Sequence, residues 1–444
     1  MTYVSVFEVL RAGPGPSSVQ TIGPLNAARQ FAHLLEADGV ARAAARIDVE
    51  LYGGLACGGR GSATGVAIMA GLAGDAPEQC DAALMQARAA DIKADGTLPL
   101  NGRQPVAFDA DRDIAYRVDR SVEGASNALR FVARGARGDI IAERAYYSIG
   151  DGEIVDPSHA HRVREKPRVP YPFVSAAALC DAGEIVGKKL AAIGFANETA
   201  FRSPGDVRAA LTGYGEVMRA AVQRGMSRDD PLPGGRTRRA PAQAIALRNT
   251  QGTPGQWCSV MAQAVAEENA AGGCVVAAPT SGSAGPVAAL LMHWRQAKPL
   301  AEDTGTLEFL MTAGVVGALL RGMGLRQAGC QSVVGVASAM AAAGYAAVLG
   351  ASNAQMLHAA ELALAPHLGQ ACDPEGGRIQ QPCIGRNAAA AAHAHASVQA
   401  ALARPRPGNG LDSVVAAMIE SGRAMSGRYK EASLGGAAIN VAEC

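Results

Sequence analysis

Val333-Val334-Gly335-Val336-Ala337-Ser338-Ala339-Met340-Ala341-Ala342-Ala343-Gly344-Tyr345-Ala346-Ala347-Val348-Leu349 and its continuation to Leu357 decide the fold. The stretch carries no charge and is long enough to cross a bilayer. It is nevertheless built from Ala and Gly, and it contains Ser338, Asn353 and Gln355, which fit poorly in lipid. The reading that follows is a pair of helices buried in protein. On either side lie further Ala-rich segments with few β-branched residues: 175–193, 205–224, 253–271, 307–322, 353–364, 387–402 and 411–423. Together they predict a mostly α-helical domain over 175–444, ending in a C-terminal tail. Within it, 228–256 collects Pro231, Pro233, Gly234, Gly235, Arg236, Arg238 and Arg239 and reads as a loop.

Upstream the pattern changes. Ala45 to Tyr52 alternates as a strand does, Ala145 to Ile149 looks like another strand, and Leu25 to Leu35 has helical spacing. Residues 1–155 therefore read as an α+β domain. Between the two, 156–174 holds Pro157, Pro167, Pro170 and Pro172 among charges and reads as a linker. A chain of 444 residues is long for a single core, which agrees with two domains.

Forty-one Lys plus Arg face 40 Asp plus Glu, so no basic excess points to nucleic acid or to a membrane surface. A small-molecule partner is expected. Only 4% of residues are aromatic while 53 are glycine, so the core must come from closely approaching backbones. The first residues lack a basic segment followed by an apolar run, which predicts a cytoplasmic protein. Nine cysteines in that compartment suggest metal binding or simple burial rather than disulfides.

Three cysteines lie beside Gly or Pro at predicted helix ends: Cys330 in Ala-Gly-Cys-Gln, Cys372 in Ala-Cys-Asp-Pro-Glu-Gly-Gly, and Cys383 in Gln-Pro-Cys-Ile-Gly-Arg-Asn. Exposed N–H groups there favour thiolates. Three such thiolates could hold a cluster, or they could be buried thiols, and their spacing matches neither ferredoxin runs nor paired zinc motifs. Cys444 places a thiol at the last position. Cys57, Cys80, Cys180, Cys258 and Cys274 read as structural. His393 and His395 point about 200° apart on a helix and cannot share one ion.

Two Gly-rich loops could bind an anion. Gly13-Pro14-Gly15-Pro16-Ser17-Ser18-Val19-Gln20-Thr21-Ile22-Gly23-Pro24 ends at a helix start, and Ala278-Pro279-Thr280-Ser281-Gly282-Ser283-Ala284-Gly285 opens another helix. Arg386 could pair with a carboxylate through its planar fork.

These stretches resemble the bacterial iron–sulfur L-serine dehydratases nearly end to end. The matching pieces include Gly-Pro-Ser-Ser at 15–18, Tyr-Tyr-Ser-Ile-Gly at 146–150, Val-Pro-Tyr-Pro-Phe at 169–173 and Glu-Glu-Asn-Ala-Ala-Gly-Gly at 267–273. Ala-Pro-Thr at 278–280, Met-Ala-Ala-Ala-Gly at 340–344, Cys-Asp-Pro at 372–374, Pro-Cys-Ile at 382–384 and Arg-Asn-Ala at 386–388 follow in the same order. The resemblance implies a homodimer with a [4Fe–4S] cluster on Cys330, Cys372 and Cys383, with Cys444 capping the fourth iron at rest. It implies β-elimination from serine or a related small amino acid to a 2-oxo acid and ammonia. Ser17, Ser18, Thr280, Ser281, Gly282 and Arg386 would contact substrate, and Ser17, Ser18, Thr21, Ser62 and Thr64 would lie at the reacting centre.

The chain departs from the family at these motifs. Gln20 stands where the family has His, and Gly59-Arg60-Gly61-Ser62-Ala63-Thr64-Gly65 replaces a His-containing motif. Ser281 replaces an Asn, and the segment before Cys330 is about three residues shorter than the family's. An iron–sulfur enzyme of another reaction type and a non-catalytic cluster protein are the alternative readings.

Overall fold

The computed structural model describes residues 3–57, 63–118, 120, 122, 127–149, 152–159, 167–233, 235–328, 330–371, 380–404 and 410–426. Contacts divide the chain into two compact units. One comprises Met1–Arg11, Lys166–Ala271 and Val275–Cys444, the other Ala12–Glu165 with Gly272–Cys274.

The second of these is α+β, as the alternation upstream predicts. Its strands are β1 (Arg46–Gly53), β2 (Thr97–Leu100), β3 (Gln104–Ala107), β4 (Ile114–Arg117), β5 (Asn127–Arg134), β6 (Ile140–Ile149) and β7 (Glu153–Val155). They form one sheet of order β2-β3-β1-β5-β6-β7, with β4 also paired to β1. Strand β1 is parallel to β3 and β4 along one edge and antiparallel to β5 along the other. Ile47, Val49 and Leu51 of β1 are fully buried. On the opposite face Glu50 pairs with Arg117 and Arg130, both at 2.8 Å. Helices α1 (Ile22–Ala37), α2 (Ala63–Leu72) and α3 (Ala82–Asp95) belong to this unit. The stacked rings of Phe31 and Phe131, 5.2 Å apart, join α1 to the sheet.

The other unit is mostly helical: α4 (Ala176–Ile185), α5 (Leu190–Glu198), α6 (Pro204–Ser227), α7 (Ala240–Thr250), α8 (Pro254–Ala270), α9 (Gly285–Ala297), α10 (Glu302–Gly322), α11 (Cys330–Val348), α12 (Asn353–Leu364), α13 (Gln380–Ala403) and α14 (Gly410–Ala424). The uncharged stretch is the buried helix pair α11 and α12. Gln331–Val348 and Asp303–Gly322 are long and apolar enough to span a membrane, but 89% and 78% of them are buried within the protein. Close backbone approach replaces aromatic filling: a Cβ on Gly225 would lie 2.2 Å from the Ala264 carbonyl oxygen, so only glycine lets α6 meet α8 there.

Two local expectations are corrected. The segment 228–256 is not one loop, because α7 occupies Ala240–Thr250. The side chain of Glu267 accepts hydrogen bonds from the backbone N–H groups of Arg239 and Ala240, and this cap from α8 starts the helix. The single helix read over 175–193 is broken into α4 and α5 by Gly187, whose φ is +63°. Asn353 secures the break, accepting from Leu190 N–H and donating to the Lys188 carbonyl.

Candidate active site

In the helical unit, α9, α11 and α13 run parallel. Gly285 N–H donates to Asn387 Oδ1 at 2.9 Å, Ser338 Oγ donates to the Ala390 carbonyl at 3.1 Å, and further along His293 faces His395. Their N-terminal ends therefore lie at one end of the bundle, where Thr280, Cys330 and Cys383 also fall. Thr280 is extended, Ser281 to Ser283 form one tight turn, and Thr280 and Ser283 hydroxyls meet at 3.2 Å. Ser281 and Ser283 are buried, and Thr280 and Gly282 partly exposed.

Two buried amides organise this end. Asn387 Nδ2 donates to the Gly282 carbonyl at 2.8 Å and to the Cys383 carbonyl at 2.7 Å, while its Oδ1 holds Gly285 N–H. It ties the 280–285 turn to the helical turn that carries Cys383 and Arg386. Gln331, directly after Cys330, donates to the carbonyls of Ala328 and Met418. Its Oε1 accepts from Gly369 N–H at 2.7 Å, three residues before Cys372. Both amides are fully buried. Sequence reading passed over them, although each stands beside a residue it had singled out.

Cys383 is partly exposed in the first turns of α13 and Cys330 opens α11. Cys372, Cys444 and Ser62 lie outside the described residues, as does the side chain of Cys330. Among the described residues no three His, Cys, Asp or Glu side chains come together as a metal site. Of the cysteines read as structural, Cys80, Cys180 and Cys258 are buried and Cys274 is partly exposed; burial pushes the Cys80 and Cys258 thiols up to about 12 and that of Cys180 up to about 11. Such thiols stay protonated near neutral pH.

In the α+β unit, the first Gly-rich loop leads into α1. Thr21 Oγ1 lies 2.8 Å from the Pro14 carbonyl and 2.7 Å from that of Ser17, donating to the loop. Thr64 Oγ1 donates to the Gln20 carbonyl at 2.9 Å, and Ser148 Oγ to that of Val19 at 2.7 Å. Gly15 N–H donates to the Gly273 carbonyl at 3.0 Å. Thr21, Thr64 and Ser148 are thus buried supports of the loop, whereas Ser17 is partly exposed. Ser148, within Tyr-Tyr-Ser-Ile-Gly, is a support that sequence reading did not single out.

Glu-Glu-Asn-Ala-Ala-Gly-Gly also has a structural reason. Besides the Glu267 cap, Glu268 is fully buried and meets Arg224 at 2.9 Å and the buried Arg238 at 3.1 Å.

An α+β unit with a hydroxyl-rich loop and a helical unit with thiols at helix starts find direct counterparts among known proteins. Residues 5–159 match the serine dehydratase beta chain and residues 176–438 the serine dehydratase alpha chain, which defines the class as a serine dehydratase-type lyase. More particularly, the chain belongs to the serine dehydratase family in its single-chain form, with beta and alpha regions in one polypeptide. It is 37% identical over 457 residues to the L-serine dehydratase of Streptomyces coelicolor, covering 99% of this chain and 100% of that protein. L-serine dehydratase 2 of Escherichia coli is likewise 37% identical with the same coverage. The L-serine dehydratase of Mycobacterium tuberculosis is 38% identical, with 99% of this chain and 98% of that protein covered.

Proposed function

We propose that this chain eliminates a β-substituent, water from serine or a related leaving group, from a small amino acid to give a 2-oxo acid and ammonia. The observation that carries the reading is the pair of buried amides. Gln331 ties the start of the Cys330 helix to Gly369, on the approach to Cys372, and Asn387 ties the Cys383 turn to the Thr280 turn.

The cofactor in this reading is a [4Fe–4S] cluster. The residues present fit it: Cys330 and Cys383 stand in the opening turns of parallel helices, where N–H groups favour thiolates. Cys330, Cys372 and Cys383 would bind three irons and Cys444 would cap the fourth at rest. When bound, the cluster supplies a Lewis-acidic position for the substrate's carboxylate and β-hydroxyl.

The chain's own residues do the rest. The Arg386 fork pairs with the carboxylate. Thr280, Ser281 and Gly282 present hydroxyls and backbone N–H groups to the amino acid, and so do Ser17 and Ser18. Gln20 takes no proton, and the hydroxyls of Thr21 and Thr64 already donate to loop carbonyls. Proton transfer is assigned to the further hydroxyls of these motifs, Ser17, Ser18 and Ser62, which act as bases only when activated. Turnover of serine should be slower than with an imidazole base by roughly 10²–10⁴. The reading also takes a cytoplasmic homodimer without nucleic-acid or membrane partners.

The test is an anaerobic electron paramagnetic resonance titration of the reduced, reconstituted protein. L-serine or a β-substituted analogue should change the signal, and Cys383→Ala should abolish the cluster. An unchanged signal with every amino acid would reject the reading.

A further inference from the structure

His395 diverges from His393 on α13 and meets a different histidine, His293 of α9. Their ring centres are 5.6 Å apart with planes at 82°. Tyr345 of α11 completes a near-equilateral triangle, its ring centre 6.0 Å from His293 and 5.7 Å from His395. Tyr345 is buried and both imidazoles are half-buried. Among the described residues neither imidazole has a hydrogen bond or ion pair. On the same helix His393 is engaged elsewhere, its Nε2 3.0 Å from the Leu362 carbonyl. Burial lowers the pKa of both His293 and His395, and His395 lowers that of His293 further. Both rings are therefore neutral at pH 7, with a lone pair on each.

We propose that His293, His395 and Tyr345 form a binding site for one divalent transition-metal ion of the zinc class. Two imidazoles on one tetrahedral ion, with Zn–N near 2.0–2.1 Å, place their ring centres about 5 Å apart, close to the separation found here. Imidazole suits zinc, copper, iron and nickel; burial raises the Tyr345 phenol, so its oxygen is the weaker third donor, joining only by giving up its proton. Ring packing in such a cluster is worth only about 0.5–1.5 kcal/mol per pair. The site is separate from the cysteines. Along their helices His293, His395 and Tyr345 lie about 12, 18 and 22 Å beyond Gly285, Cys383 and Cys330 at 1.5 Å per residue.

The test titrates zinc into the anaerobic holoenzyme and counts bound ions by equilibrium dialysis. One ion should bind per chain. His293→Ala and His395→Ala should each weaken it by more than the roughly tenfold that losing even an outer partner costs. Tyr345→Phe should weaken it less, and His393→Ala should leave it unchanged. Zinc-free unfolding midpoints control for folding, and zinc-soaked crystals of the unsubstituted enzyme locate the ion by anomalous scattering without any substitution. Zinc affinity unchanged from the parent in both histidine variants, or no anomalous peak among the three rings, would overturn the proposal.

Discussion

Asn387 shows what a single side chain does in this molecule: one buried amide satisfies Gly285 N–H, the Gly282 carbonyl and the Cys383 carbonyl together. Asn387→Ala leaves these groups buried without partners, which should cost about 1–3 kcal/mol for each group left unsatisfied. Urea unfolding measures that loss, and kcat/KM for the best substrate should fall with it; a variant as stable and active as the parent would remove Asn387 from the account. Thr64 offers a sharper distinction between support and chemistry. Thr64→Ser keeps the donor to the Gln20 carbonyl and should retain activity with an unshifted pH profile, whereas Thr64→Val should lose both loop support and turnover. The Cys, Ser and Arg residues were singled out in sequence because their types carry chemistry. Gln331 and Asn387 were not, since an amide announces its role only through partners far away in the chain.

Helices and strands were read where their own residues dictate them, and missed where another element does. The stretch at 333–357 excludes charge and gives α11 and α12, and Ile47, Val49 and Leu51 give β1 by simple alternation. Helix α7 was hidden behind Pro233, Gly235 and three arginines because its start is capped by Glu267 of α8. Its neighbour Glu268 holds the buried Arg238, so Glu268→Gln should destabilise the helical unit by about 3–5 kcal/mol, as breaking a buried ion pair does. Chemical denaturation checks this, and a loss within error of zero would mean that the pair is solvated. In the sheet, burial would raise the Glu50 carboxyl, but hydrogen bonds from Arg117, Arg130 and Tyr52 prevail and hold it at about 2, below its ordinary 4.5. A carboxyl lowered on folding stabilises the folded form above pH 4.5, and that contribution is lost as pH falls towards about 2. Glu50→Gln should therefore flatten the fall in unfolding midpoint across that window; an unchanged acid slope would assign it to other groups.

For the whole molecule, the sequence divides into an α+β part and a helical part because hydrophobic alternation changes to Ala-rich helical composition near the Pro-rich segment, and both kinds of structure are found. Contacts nevertheless group the first residues with the helical unit: Glu198 accepts hydrogen bonds from Tyr3, Ser5 and Val6 N–H, and no local pattern could signal this. The same limit applies to the reaction. Family membership follows from matches along nearly the whole chain, while neither Gln20 nor Ser62 offers an imidazole from which the proton transfer could be read. The proposed reaction of the chain is β-elimination. The most direct measurement is the anaerobic release of ammonia and a 2-oxo acid by the cluster-loaded protein from L-serine and a panel of β-substituted amino acids. Equimolar release of both products from at least one of them, lost in Arg386→Ala, is the predicted result; no release from any of them by a fully loaded cluster would contradict it.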